Sequence, residues 1–347
     1  MSNNFIPVRV FYEPGALEYP LGRTLVERFR HMGIVVTPTS SHNRVTGIPG
    51  KTIAAQYREA KRSLVIGVRR SVTFQSCKPS AHYQLPLVTS CPGMCEYCYL
   101  ATTLGKKPYV RVYVNIVEIL GIASKLIQER LPEITQFEGA ATSDPLPVER
   151  YTGALKQVIE FFGREANGRF RFVTKYTDVD SLLAAKHEGH TRFRFSLNCD
   201  EVVDKFEHNT PSLEERIIAA GKVLKADYPL GFIIAPIFRF QGWQDAYRRL
   251  MERSADELAK RAPVGWSSEQ LSLEFISHRF TLKAKANILD VFPNSTLPMK
   301  EEERKFKYGQ FGYGKYVYPP EELEELRAFF HDQAKCYFPL AHVEYFI

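Results

Sequence analysis

A chain of 347 residues is long enough to bury a large core, and 44% hydrophobic with 24% charged residues is the composition of a folded protein. The net charge of +7 and a pI near 9.0 favour a polyanionic partner without naming one. No run approaches the ~20 apolar residues that span a bilayer, and MSNNFIPVRVFYEPGALEYP lacks the basic-then-apolar pattern of an export signal, so the expectation is a cytoplasmic protein with no membrane partner.

Residues 1–80 read as a helical and irregular lead-in. TLVERFRHMGI and IAAQYREAKRSLVIGV repeat apolar residues at helical intervals, with the loop SSHNRVTGIPGK between them. Residues 81–290 alternate instead. Strand-like runs occur at HYQLPLVTS, ITQFEGAATSD, RFRFVTKYTD, TRFRFSLN, PLGFIIAPI and QLSLEFISH. Helix-like segments lie between the earlier ones: VNIVEILGIASKLIQERL, VERYTGALKQVIEFFGRE, DSLLAAKHEG and SLEERIIAAGKVLKAD. This succession predicts an α/β fold, a partial (β/α)6 TIM-like barrel, with a doubly wound sheet as the alternative. Either places chemistry at the C-terminal ends of the strands. Those ends carry Ser90 and Cys91, then Thr142, Ser143 and Asp144, then Lys175 to Thr177, then Ser196 and Asn198.

Residues 291–347 depart from the pattern. RKFKYGQFGYGKYVYP mixes basic and aromatic residues, and Gly309, Gly312 and Gly314 predict a glycine-turned β-hairpin. PPEELEELRAFFHDQAKCYF reads as a closing helix, with proline at its start and Glu321 and Glu322 in its first turn.

Of six cysteines, Cys91, Cys95 and Cys98 fall within SCPGMCEYCYL, spaced C-x3-C-x2-C; Cys199 and Cys336 read as small core residues. Structural zinc wants four ligands, usually two close pairs. Only His82 and Cys77 lie near enough upstream to supply a fourth. A [4Fe–4S] cluster takes thiolates, normally one to each iron. Three cysteines leave one iron open to a chelating amino acid, and S-adenosyl-L-methionine offers an adjacent amine and carboxylate. The spacing, with Tyr97 before the last cysteine and a predicted strand ahead, resembles the motif of the radical S-adenosylmethionine superfamily.

The flanking stretches resemble one family within it. CPGMCEYCYLATTLGKKPYVRVYVN, TSDP, FVTKYTD, RFSLN, GQFGYGKYVY and the upstream SCKPSAHYQLPL look like spore photoproduct lyase along nearly the full chain. The resemblance implies a DNA-repair lyase that reverses 5-thyminyl-5,6-dihydrothymine to two thymines. It implies a [4Fe–4S] cluster on Cys91, Cys95 and Cys98, and S-adenosyl-L-methionine as the source of a 5′-deoxyadenosyl radical. A cysteine then returns hydrogen to the cleaved lesion, and tyrosines at Tyr97 and Tyr99 pass it back. Ser143, Lys175, Ser196 and Asn198 match positions that hold the cofactor's polar groups. The implied partners are double-stranded DNA containing the thymine dimer lesion and a reductant such as flavodoxin or ferredoxin, in the spore core or germinating cell. With base flipping required, Arg304, Lys305, Phe306 and Tyr308 of the hairpin become the candidate DNA contacts.

One position departs from the family. Ala141 stands directly before Thr-Ser-Asp, where the family has its hydrogen-donating cysteine. Replacement of the donor, which would impair the final hydrogen donation, is the favoured reading. A one-residue slip of the match and a natural relative with another donor are the alternatives. The rival readings of the whole chain are another radical enzyme acting on nucleic acid and a zinc-stabilised nucleic-acid-binding protein.

Overall fold

A computed structural model describes residues 5–105, 107–308 and 314–347. Gly309 and Gly312 of the expected hairpin lie outside the described residues. In chain order the first strands are β1 (Arg9–Tyr12), β2 (Val35–Pro38), β3 (Ser63–Gly67), β4 (Ser76–Cys77), β5 (Ala81–Gln84), β6 (Val88–Thr89), β7 (Met94–Cys95) and β8 (Val110–Tyr113). There follow β9 (Thr135–Glu138), β10 (Gly168–Thr174), β11 (Thr191–Leu197), β12 (Glu207–His208), β13 (Leu230–Ile237), β14 (Leu271–Ser277), β15 (Lys305–Tyr308), β16 (Gly314–Val317) and β17 (His342–Phe346). Contacts divide the chain into two compact units, Met1–Gly93 with Leu104–Arg192, and Met94–Thr103 with Phe193–Ile347. This is a different cut from the three segments bounded at 80 and 290.

In the first unit β2, β1, β3, β8 and β6 lie side by side, parallel except for the antiparallel edge strand β6. β10, β9 and β5 are parallel neighbours, and β4 turns back antiparallel on β5. In the second unit β11, β13, β14 and β17 are parallel neighbours, while β7 pairs with β12 and β15 with β16 in antiparallel fashion. The α/β class is therefore as expected. β3 is buried at every position and β13 at most, as aliphatic and aromatic runs are in parallel strands covered on both faces.

The helices follow their apolar spacing. Ile116–Gln128 buries Ile116, Ile119, Leu120, Ala123 and Ile127, one face of the 3.6-residue period. Leu213–Lys225 opens on a reciprocal cap between Ser212 and Glu215. The segment expected as one helix over VERYTGALKQVIEFFGRE is two, Leu146–Thr152 and Ala154–Arg164, broken at Gly153 with φ 59°. Glu149 caps the second helix, accepting from Leu155 N at 2.7 Å and Lys156 N at 3.1 Å.

Other expectations need correction. The lead-in holds the helices Pro20–His31 and Ile53–Lys61, but also β1, β2 and β3. SLVIG, read as a continuing helix, is β3, because its aliphatic run pairs on both edges with β1 and β8. DSLLAAKHEG forms only the 3-10 turn Asp180–Leu182; its apolar residues are too few for a stable helix of that length. Cys199 is core, but Cys336 is exposed on the helix Pro320–Tyr337. No described helix is long and apolar enough to cross a membrane.

Candidate active site

Three of the polar strand ends meet in the first unit. Ser90, with φ 67°, donates its N–H to Thr142 O at 2.8 Å, bridges Ser143, and donates its hydroxyl to Pro108 O at 2.7 Å. Asp144 accepts from Thr174 Oγ1 at 2.9 Å, Lys175 N at 2.8 Å and Leu146 N at 3.2 Å. Burial lifts its carboxyl to about 6 against those bonds. Ser143 is buried, its hydroxyl 3.4 Å from Gly139 O, and Lys175 is half-buried.

Ala141 lies in the turn that follows β9. The turn starts at Gly139, where a Cβ would come within 2.6 Å of the Phe170 ring. Glu138, the last residue of β9, accepts from Ala140 N at 3.0 Å and from Ser80 Oγ at 2.8 Å. It thus joins the turn after Cys77 to the residue before Ala141. Cys77 itself is half-buried on β4.

In the second unit Cys95 is buried on β7, opposite Glu207, and Cys98 N donates to Cys95 O at 3.2 Å. The Tyr97 hydroxyl donates to Glu207, whose other oxygen lies 2.6 Å from the fully buried Arg216. Burial, and then the Glu207 charge, hold the Tyr97 phenol well above its usual range. Tyr99 is 57% exposed. Arg216 also donates to Ser196 O at 3.1 Å, so the strand end at Ser196 is tied to the same cluster. Asn198 is fully buried, donates to Pro236 O at 2.8 Å, and accepts from Tyr247 Oη at 3.0 Å and Cys199 N at 3.1 Å, so its amide ties strand ends together.

The hairpin separates into a base and a blade. Arg304 donates to His278 O and Pro298 O, each at 3.0 Å, and stacks 3.6 Å from the Tyr318 ring centroid. It is a strut, not the solvent-facing phosphate contact expected. Lys305, Phe306, Lys307 and Tyr308 are all exposed. Phe306 and Tyr308 are 47% and 74% accessible, high for aromatic residues whose neighbour Tyr316 packs on Phe280.

Sequence reasoning missed Glu207, Arg216 and Lys61. Arg216 carried a signal, a charge inside the buried face of an otherwise apolar helix. Lys61 ends the helix Ile53–Lys61 and is 1% exposed, donating to Cys91 O at 3.0 Å. Glu207 carried none.

None of the six cysteines is in a disulfide. Among the described residues no group of three or more His, Cys, Asp and Glu side chains stands in a metal-holding arrangement, so the ligand set rests on the motif and its donor chemistry. Three thiols within eight residues suit an iron–sulfur cluster, and the one carboxylate between them, Glu96, is engaged by His208 Nε2 at 2.8 Å. Of the two upstream candidates for a fourth zinc ligand, His82 is engaged, its Nδ1 accepting from Gln136 N at 3.0 Å.

Comparison with known proteins agrees with the cluster reading. A family profile described as "Spore photoproduct lyase" matches residues 5–347. The chain is 50% identical over 339 residues to spore photoproduct lyase of Clostridium acetobutylicum, covering 98% of each. It is likewise 50% identical to a solved spore photoproduct lyase complexed with dinucleoside spore photoproduct, at a TM-score of 0.95 over 99% of this chain and 100% of that one. The same values hold for a doubly substituted spore photoproduct lyase, cysteine to alanine and serine to cysteine, with bound AdoMet and dinucleoside spore photoproduct.

Proposed function

The chain belongs to the spore photoproduct lyase family, and we propose that it is the DNA-repair lyase that returns 5-thyminyl-5,6-dihydrothymine to two thymines, with Cys77 as hydrogen donor in place of residue 141. The observation that carries the lyase reading is the C-x3-C-x2-C loop within a chain half identical, end to end, to enzymes of that activity. What supports Cys77 is a coincidence of residue types. The doubly substituted relative exchanges a cysteine for alanine and, the same distance upstream, a serine for cysteine. This chain has Ala141 and Cys77 at that same separation.

Cys91, Cys95 and Cys98 are the residues that would hold the [4Fe–4S] cluster. With S-adenosyl-L-methionine bound, that cluster supplies the carbon-centred radical that opens the lesion's C–C bond. Lys175, at the strand end beside Asp144, is suited to the cofactor's carboxylate, with Ser143 and Ser196 as further polar strand-end residues. Cys77 gives its S–H hydrogen atom to the cleaved thymine radical: one S–H bond breaks, one C–H bond forms, and a sulfur-centred radical remains on Cys77. A phenolic O–H hydrogen from the Tyr97 and Tyr99 pair restores the thiol, and the phenoxyl radical left on the pair would recover its hydrogen from 5′-deoxyadenosine. Tyr97 is held by Glu207, while Tyr99 is accessible. The lesion is met in double-stranded DNA, in the cytoplasm of the spore or germinating cell, with a flavodoxin or ferredoxin as electron source. The positive net charge supports the DNA partner.

The test is repair of dinucleoside spore photoproduct by the cluster-loaded protein with S-adenosyl-L-methionine and dithionite. Thymine and 5′-deoxyadenosine are the expected products, and repair in D2O places one deuterium from the exchanged thiol in the product. Cys77→Ala keeps lesion cleavage but diverts the product to adducts with other small donors. Adding Ala141→Cys to that variant restores thymine. An unchanged thymine yield from Cys77→Ala removes Cys77 from the mechanism. Failure on the lesion with turnover of an RNA substrate would return the chain to another radical chemistry on nucleic acid.

A further inference from the structure

Lys61 is a cation in an unusual place. It is 1% exposed, and its ammonium donates to Cys91 O at 3.0 Å, lies 3.5 Å from Ser90 Oγ, and sits 5.5 Å from the Tyr57 ring centroid. Among the described residues no carboxylate pairs with it. Elsewhere the chain supplies such groups with acids: Arg216 has Glu207, and Arg194 has Glu274 at 2.9 Å. A buried charge without a partner is costly. The carbonyl groups at the helix end and the ring face offset only part of that cost.

The location suggests what completes the pair. Cys91 is the first cysteine of the C-x3-C-x2-C loop, and Ser90 before it is held in the left-handed region by its bonds to Thr142 and Pro108. Three thiolates on a four-iron core leave the assembly anionic, and reduction adds one more negative charge. We propose that Lys61 is the buried countercharge of the iron–sulfur cluster, positioning the Cys91 loop through its carbonyl and favouring the reduced cluster over the oxidised one. This inference rests on the assignment of the three cysteines as cluster ligands. Lys61 touches neither substrate nor reacting atoms and is a positioning residue.

The experiment uses the full chain and its variants Lys61→Met, Lys61→Gln and Lys61→Arg, reconstituted anaerobically with iron and sulfide. The readouts are iron per chain, the midpoint potential of the cluster, and the melting temperature with and without cluster. Removal of the charge in the Met and Gln variants shifts the one-electron equilibrium toward the oxidised cluster by about tenfold, which is about 59 mV. The Arg variant stays near the parent potential. Without cluster, Lys61→Met melts no lower than the parent, because it has lost an uncompensated charge, and cluster loading stabilises it less. Unchanged potentials in both neutral variants overturn the proposal. So does a cluster-free Met variant that is insoluble or melts lower, since that describes a merely structural lysine. If the parent chain itself takes up no iron, the ligand assignment fails and not the role of Lys61.

Discussion

Asp144 and Arg216 show how single side chains hold polar strand ends, one in each unit. The buried Asp144 accepts three hydrogen bonds, two from the end of β10 at Thr174 and Lys175 and one from the helix start at Leu146. Asp144→Asn turns an amide N–H toward one of those donors and is expected to cost about 1–3 kcal/mol in urea unfolding of the cluster-free protein. Arg216→Leu takes the guanidinium away from the buried Glu207 carboxylate, and the expected loss is larger, about 3–5 kcal/mol. At this scale the sequence was legible where chemistry is encoded in spacing, as with Cys91, Cys95 and Cys98. It was illegible where a role depends on what surrounds a side chain. Arg304 and Lys305 are neighbours of the same charge, yet one is locked on Tyr318 and the other is open to solvent. Asn198 sits at a strand end, as a cofactor contact would, and there its amide also binds Pro236 and Tyr247.

Among the elements, the hairpin β15–β16 carries the clearest functional expectation. Its first strand exposes Lys305, Phe306, Lys307 and Tyr308 together, the composition of a wedge that unstacks bases while holding phosphates. Reversing charge at Lys305 and Lys307 is expected to weaken binding to lesion-bearing duplex and to flatten the dependence of affinity on salt, measured by titration across several salt concentrations. Equal affinity and slope would leave these residues only a packing role. The strands β9, β10, β11, β13 and β14 were readable because buried parallel strands are continuous apolar runs bounded by polar ends. β1, β2 and β3 were not. Their short runs lie next to helices of similar composition, and only pairing with distant strands makes them a sheet. The break at Gly153 was also hidden, since the apolar period continues through it.

For the molecule as a whole, three buried carboxyl groups and the buried His278 imidazole contribute to the pH response. Burial raises Asp144 from 3.8 to about 6 and Glu149 from 4.5 to about 7. Their contribution to stability is complete below the unfolded values and is lost as pH rises through the folded ones. Burial alone would also raise Glu13, but bonds from His42, Val68 and Arg70 bring it from 4.5 to about 2. Its contribution is present above 4.5 and lost as pH falls through about 2. Burial lowers the His278 imidazole from 6.5 to about 3, so its contribution is complete above 6.5 and lost as pH falls through about 3, opposite in sign to Asp144 and Glu149. The carboxyls are therefore read against the parent: the thermal stability of the cluster-free parent relative to Asp144→Asn and Glu149→Gln should fall as pH rises from about 4 to about 7. A difference that does not change with pH would contradict these assignments. The relation of β4 to β9 has a consequence on a longer timescale. On the proposed assignment Cys77 stands on β4 and Ala141 in the turn after β9, with β5 between the two strands. Moving the donor from one place to the other therefore takes two independent substitutions on segments far apart in sequence.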